Sequence, residues 1–345
     1  MHGESLAPGR FQHTRWSRIR FVQRWRGQLE ADDTAHHAAD GMVIDGWKED
    51  QDDFRAMGIG PDRARGYRLP NDFKCAITVH VFYLELWPGI SQHLSLLHLD
   101  YDLHITCCPE LISTVGAMIR ADFPSAEIHC FPNEGMDVLP FLKQLPILKK
   151  LGYSLVCKLH TKRGVEPLGP VWRRNLLQSL IGNADNIQAI LKSFIKHPAL
   201  MMVGPSSLYV SAKLVMYKNR TTLERIHGIL FPGFAMPDDW GFFAGSMFWS
   251  RIDALLPIAS VAENHYHKGC EDLAEEENSD GSMAHAIERA FGWAAYNGQV
   301  ALIEPWRNNT KADRAGKDKI SIIWSIAAEK RLRYLHLSEI LDKLD

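Results

Sequence analysis

Lys158, His160 and Lys162 stand at alternate positions in the stretch KLHTKRG, directly after the apolar run Tyr153–Leu159. If that run is a strand, its two-residue period turns all three side chains to one side. Two ammonium groups and an imidazole at a strand end suit a diphosphate. Arg173 and Arg174, after Trp172, add forked donors nearby. The same composition also fits a solvated basic loop. A second polar stretch reads Asn133-Glu134-Gly135-Met136-Asp137. Gly135 lets the backbone turn sharply and approach a ligand. Asn133 and Asp137 could then hold a base, a ribose or a sugar hydroxyl. The alternative is a plain turn with Asp137 as a helix N-cap.

Two further stretches carry chemistry nearer the C-terminus. The run Trp240–Trp249 (WGFFAGSMFW) is dense in aromatics and small residues. Phe243 and Trp249 around Gly245 would suit stacking on a sugar ring, or else form a buried strand. Asp280 then precedes a helical pattern in which His285, Glu288 and Arg289 share a face. A carboxylate at a helix start can serve as general base for an acceptor hydroxyl. It can equally be a cap. His265, His267, Cys270 and Glu271 invite a metal reading, but no second ligand cluster with zinc-type spacing accompanies them. No GxGxxG fingerprint opens a βαβ unit, and Walker A, GxSxG and HExxH motifs are missing. The place after the fourth strand, where an Asp-x-Asp metal motif would be sought, is taken by Lys158–Lys162.

The elements that must position these residues begin at residue 71, where strand and helix signals start to alternate. Strands are expected at 75–86, 101–108, 126–131, 153–159 and 200–203, with helices at 91–98, 111–122, 138–151, 172–181 and 184–196. Such alternation implies an α/β fold with a mostly parallel central sheet covered on both faces. Ligands then bind outside the carboxyl ends of the strands, where the loops after strands three and four lie. A nucleotide-binding domain is expected over 71–310, and a helical appendage over 311–345 beginning near Ile320.

Residues 1–70 form a separate extension. Arg10–Gly27 carries six arginines and no acid, with Trp16, Ile19 and Val22 on one helical face. A basic amphipathic helix of this kind can lie on an anionic membrane surface, or it can be a solvated tail. The net charge of −2 gives no argument for nucleic-acid binding. Of six cysteines, Cys75, Cys107, Cys130 and Cys157 sit in strand-like runs as small buried hydrophobes, which suits a reducing compartment. No signal-peptide pattern and no long apolar run appear, so a cytoplasmic protein is expected, peripheral on the inner membrane face if the basic segment docks.

Taken together, the segments VHVFYLELW (79–87), NEGMDVLPFL (133–142), KLHTKR (158–163), WRRNLL (172–177), MVGP (202–205), FFAGSMFW (242–249) and DGSMAHAIERAFG (280–292) resemble the rhamnan synthesis protein F family of polysaccharide biosynthesis. The resemblance implies a GT-A-like glycosyltransferase of surface polysaccharide or O-antigen synthesis. It implies a nucleotide-sugar donor, TDP- or GDP-rhamnose, and a glycan or lipid-linked glycan acceptor. The matching motif positions are Asn133, Gly135, Asp137, Lys158, His160, Thr161, Lys162, Trp172, Arg173, Gly245, Asp280, Gly281, His285, Glu288 and Arg289. From the chemistry of the side chains, Asn133, Gly135, Asp137, Lys158, His160, Thr161, Lys162 and Arg173 are expected toward the donor; Phe243, Gly245, Trp249, Glu288 and Arg289 toward the acceptor; and Asp280, Glu271 and His285 for catalysis. No metal ligand is assigned, and fixed cations are expected to take the charge of the leaving diphosphate. The alternative is a catalytically silent carbohydrate-binding or scaffolding subunit. Met136 stands where the family loop carries an arginine.

Overall fold

The structure, a computed structural model, describes residues 73–303 except 98, 100, 164–167, 183, 270–280 and 297, together with 320–324. The expected N-terminal extension 1–70 lies outside the described residues, and so does most of 311–345.

An eight-stranded sheet forms the centre, in the order β10 (Ile320–Trp324), β9 (Gln299–Ile303), β5 (Leu200–Pro205), β8 (Phe248–Arg251), β4 (Leu155–His160), β1 (Cys75–His80), β2 (Asp102–Cys107), β3 (Glu127–Cys130). Strands β1 (Cys75–His80), β2 (Asp102–Cys107) and β4 (Leu155–His160) are almost wholly buried, as expected for strands covered on both faces. With the edge strand β3 (Glu127–Cys130) they pair in parallel. Strands β5 (Leu200–Pro205) and β9 (Gln299–Ile303) are also parallel to each other. Between the two groups runs β8 (Phe248–Arg251), antiparallel to both β4 and β5. The sheet is therefore mostly parallel, as the alternating pattern led one to expect.

Strand alternation divides the core in two. On one face Ala76, Val156 and Phe248 meet α3 (Val138–Lys150), α6 (Arg220–Leu230), α7 (Ile252–Gly269) and α8 (Met283–Ala290). On the other, Ile77, Cys157 and Trp249 meet α1 (Trp87–Ser95), α2 (Ile112–Asp122), α4 (Leu168–Ile181) and α5 (Ala184–Lys196). Pro140 lies in the first turn of α3, where proline is tolerated, and the helix continues through Pro146.

Three expectations need correction. The first strand ends at His80 rather than Leu86, because the backbone turns and α1 starts at Trp87 with Pro88 in its first turn. The run Trp240–Trp249 is two strands, not one. Strand β7 (Gly241–Phe243) pairs with β6 (Tyr209–Ser211) in a separate ribbon, and the positive φ of Gly245 (91°) and Ser246 (48°) turns the chain into β8. Finally, Ile320 opens strand β10 (Ile320–Trp324), antiparallel to β9, instead of a helix. Its Ile-Ser-Ile-Ile-Trp sequence is β-branched and aromatic, and an open sheet edge outweighs the helical pattern that follows it.

Candidate functional site

The carboxyl ends of β1 and β4 and the loop after β3 converge on one buried ion pair. Lys158 and His160 occupy the β4 face that looks toward α3, two residues apart as the strand period requires. Asp137 begins α3 directly opposite. The Lys158 ammonium donates to Asp137 Oδ2, and also to Ser246 Oγ at 3.1 Å. The Ser246 hydroxyl in turn donates to Asp137 Oδ2 at 2.8 Å. His160 Nδ1 lies 3.2 Å from the same carboxylate, outside hydrogen-bonding geometry. The Lys158 side chain is 1% exposed, and its ammonium sits 5.4 Å from the Phe141 ring centroid.

Burial alone would push the Asp137 carboxyl upward, but the adjoining His160 and Lys158 outweigh it and hold the group well below the usual carboxylate range. Burial lowers the Lys158 pKa, with Asp137 opposing. Burial also pushes His160 well below the ordinary imidazole value, with Asp137 opposing. His80, at the end of β1, is lowered by burial to about 4, and its Nδ1 lies 3.0 Å from Thr106 Oγ1.

The loop that delivers Asp137 is held in an unusual backbone. Gly135 and Met136 both have positive φ, 64° and 55°. The left-handed conformation costs a non-glycine residue free energy, and it persists where the surroundings impose it. Here the Met136 side chain packs against the core beneath α3. The Gly135 carbonyl accepts from Val138 N at 3.0 Å, capping the helix start. The Asp137 side chain caps nothing and is directed to Lys158 instead.

A second loop is tied in from the other side. Gly245 N donates to Glu288 Oε1 on α8 at 2.6 Å. A Cβ on Gly245 would stand 3.0 Å from Trp172 Nε1, so glycine permits the close approach of α4. Thr161 joins β4 to the exit of β1: its hydroxyl accepts from Phe82 N and Tyr83 N at 2.9 and 3.0 Å. Around this floor stands a rim of cations. Lys162 Nζ lies 5.0 Å from the Trp172 ring centroid, and the Arg163 guanidinium lies 4.2 Å from that of Tyr83 while pairing with Glu85. Arg173 Nη1 donates to Lys162 O at 3.0 Å, and Asn133 is exposed.

The structure thus brings together Gly135, Asp137, Lys158, His160, Thr161, Gly245 and Glu288, with Asn133, Lys162 and Arg173 on or beside the rim. It places others elsewhere. Phe243 and Trp249, expected to face a sugar, are 2% and 0% exposed. The Phe243 ring fills the space against Gly204, and Trp249 Nε1 donates to Leu180 O at 3.0 Å. Arg289 is buried and donates to Val215 O and His285 O, both at 2.8 Å. His285 Nδ1 lies 2.8 Å from Ser282 Oγ, and Ser282, not Asp280, caps α8. Asp280 and Glu271 lie outside the described residues. Lys162 falls beyond the end of β4, so it does not share the strand's alternation. Ser246 and His80 were missed as site residues; both stood in quoted motifs, but nothing in their spacing pointed to Asp137. Among the described residues no three His, Cys, Asp or Glu side chains group as metal ligands.

An open, mostly parallel sheet with helices on both faces and a polar, glycine-turned cluster at its strand ends defines the α/β class of folds. The comparisons make that class specific. The family model of rhamnan synthesis protein F matches residues 62–300, and the chain belongs to that family, whose description is one of polysaccharide synthesis. The chain is 29% identical over 265 residues to the uncharacterized protein WxcX of two Xanthomonas campestris pv. campestris strains. That match covers 76% of this chain but only 37% of each relative. Among solved structures, the chain is similar to mouse xyloside xylosyltransferase 1, at 10% identity and TM-score 0.31 over 64% of this chain and 80% of that one. A 4-diphosphocytidyl-2C-methyl-D-erythritol synthase from Anaerococcus prevotii is similar at 10% identity and TM-score 0.34, over 76% and 97% of the two chains.

Proposed function

We propose that the chain is a GT-A-like glycosyltransferase of surface-polysaccharide or O-antigen synthesis. It transfers a deoxyhexose, rhamnose, from a nucleotide-sugar donor to a hydroxyl of a glycan or lipid-linked glycan. Family membership supports the reaction class. The observation that carries the site is the cationic rim Lys162, Arg163 and Arg173 above a floor fixed by Asp137, Lys158 and Ser246. A diphosphate leaving group gains negative charge as the glycosidic bond breaks, and fixed cations around it lower that barrier. Lys162 and Arg173 supply this charge at the rim. Lys158 acts from below: its contacts with Asp137 and Ser246 hold the 133–137 loop and the Gly245–Ser246 turn in position, and His160 stands beside the same carboxylate. Asn133 and the Gly135 backbone meet the donor. Asp280 takes the proton of the acceptor hydroxyl, with Glu271 as the other candidate, and Glu288 fixes the Gly245 turn.

The test is to incubate purified protein with TDP-rhamnose, GDP-rhamnose and common UDP-sugars, with and without EDTA, plus a lipid-linked glycan extract. Nucleoside diphosphate released from one donor only when acceptor is present supports the transferase and names its sugar. Insensitivity to EDTA supports charge stabilisation by side chains. Donor binding without turnover under every acceptor condition favours the carbohydrate-binding subunit, a reading that Met136 in place of the family arginine supports. Asp280→Asn should abolish transfer and spare donor binding; loss of both removes Asp280 as the base.

No helix among the described residues is long and apolar enough to cross a membrane. Membrane docking through Arg10–Gly27 is a separate proposal. Flotation with anionic liposomes should fail once residues 1–30 are deleted, and unchanged flotation would contradict it.

A further inference from the structure

Tyr217 is 67% exposed, the highest fraction among the large apolar side chains described. It also has φ +42°, a conformation costly for an aromatic residue. An exposed ring that gains little from burial is thus held in a strained backbone, a combination that clusters at ligand-binding positions. The hold is visible. Asn219, fully buried, donates from its backbone N and its side-chain amide to Met216 O, at 3.0 and 3.1 Å. The Arg289 guanidinium lies 5.8 Å from the Tyr217 ring centroid and 5.7 Å from that of Phe242, and its own donors are anchored on Val215 and His285 carbonyls. A fixed cation beside an aromatic ring restricts its orientation.

The position matters as much as the exposure. The neighbouring Lys218 presses on the turn into α8: a Cβ added at Gly281 would stand 2.9 Å from Lys218 Cβ. Glu288, further along α8, holds Gly245 at the site floor. Tyr217 therefore stands beside the entry of α8, the helix whose Glu288 reaches the site floor and whose Arg289 faces the ring.

The geometry points to Tyr217 as the stacking platform for a pyranose ring of the acceptor glycan. This deepens the glycosyltransferase reading and rests on it. A pyranose offers one apolar C–H face edged by hydroxyls. A single aromatic ring with the exposed Lys218 next to it in the chain matches that shape. A protein partner would ask for a contiguous apolar patch, which one ring does not make.

Native affinity electrophoresis through gels containing rhamnan tests the platform, and calorimetry with TDP, GDP and UDP tests the donor site. Wild type should be retarded by the glycan. Tyr217→Ala should weaken that retardation about tenfold, the order expected for one aromatic stacking contact. Tyr217→Phe and Tyr217→Trp should keep it. Tyr217→Gly relieves the backbone strain, so it should melt no lower than wild type and still lose retardation, which separates binding from folding. Every variant should keep wild-type nucleoside diphosphate affinity. Equal retardation of wild type and Tyr217→Ala, or no retardation of wild type, overturns the platform. Retardation that depends on Tyr217 without any nucleotide binding supports it and sinks the transferase reading instead.

Discussion

Asp137 and Lys158 illustrate how one contact can be structurally dominant without being strongly stabilising. Removing two charges from water costs about as much as their attraction returns, but leaving one of them alone is expensive. Asp137→Ala should therefore lower unfolding free energy by about 3–5 kcal/mol, measured by urea denaturation. Asp137→Leu combined with Lys158→Met should recover most of that loss while donor turnover stays abolished. If the double variant is as unstable as the single, the unpaired charge is not the cause. Thr161 works more locally. Thr161→Val leaves the Phe82 and Tyr83 amides without their acceptor and should cost about 1–2 kcal/mol, with faster hydrogen exchange at those two amides. Thr161→Ser should restore both. At Glu288, truncation to alanine frees Gly245 N; a turn shifted by about an ångström should reduce donor turnover roughly 10- to 100-fold. An unchanged rate would remove the Gly245 turn from the site.

Among the elements, close backbone packing decides which glycines matter. A Cβ on Gly292 would meet the Gly241 carbonyl oxygen at 2.2 Å, so the Phe291–Ala295 turn sits directly on β7. Gly292→Ala should cost about 1–3 kcal/mol through forced separation of the two, read as a lower urea midpoint. Gly228→Ala, where the added Cβ meets nothing, should be neutral or slightly stabilising. The buried strands were legible in the sequence because β1, β2 and β4 are rich in β-branched and apolar residues, and α5 because its boundaries coincide with its apolar pattern. Strand β10 was not, since five residues of strand signal precede a longer helical one. The site was legible only in part. Alternation placed Lys158 and His160 on one face, but not their burial, which follows from α3 covering that face. Nor could spacing reveal that Ser246, 109 residues from Asp137, would complete the pair. Aromatic density misled at Phe243 and Trp249, where the rings serve the two cores.

Across the whole molecule, buried histidines set the response to acid. Burial lowers His80, His93, His104 and His227 to about 4. In the unfolded chain these groups take up protons near pH 6.5. Their stabilising contribution is therefore complete above about pH 6.5 and is lost as pH falls toward 4. Asp137, with its depressed pKa, adds a further loss below the ordinary carboxylate value near 4. Urea midpoints should be flat from pH 7 to 8 and decline already between 6.5 and 5. His227→Gln should reduce that slope; a midpoint flat down to pH 5 would contradict the assignment.

The antiparallel strand β8 also governs the order in which the chain can be assembled. Its Phe248 registers with Lys158 of β4, 90 residues earlier, and its Trp249 with Val203 of β5. During synthesis, β4 leaves the ribosome long before its partner exists and exposes an unpaired apolar edge. At about 5–20 residues per second, the 90 residues between Lys158 and Phe248 take roughly 5–18 s to emerge, so β4 must wait with that edge open until β8 arrives.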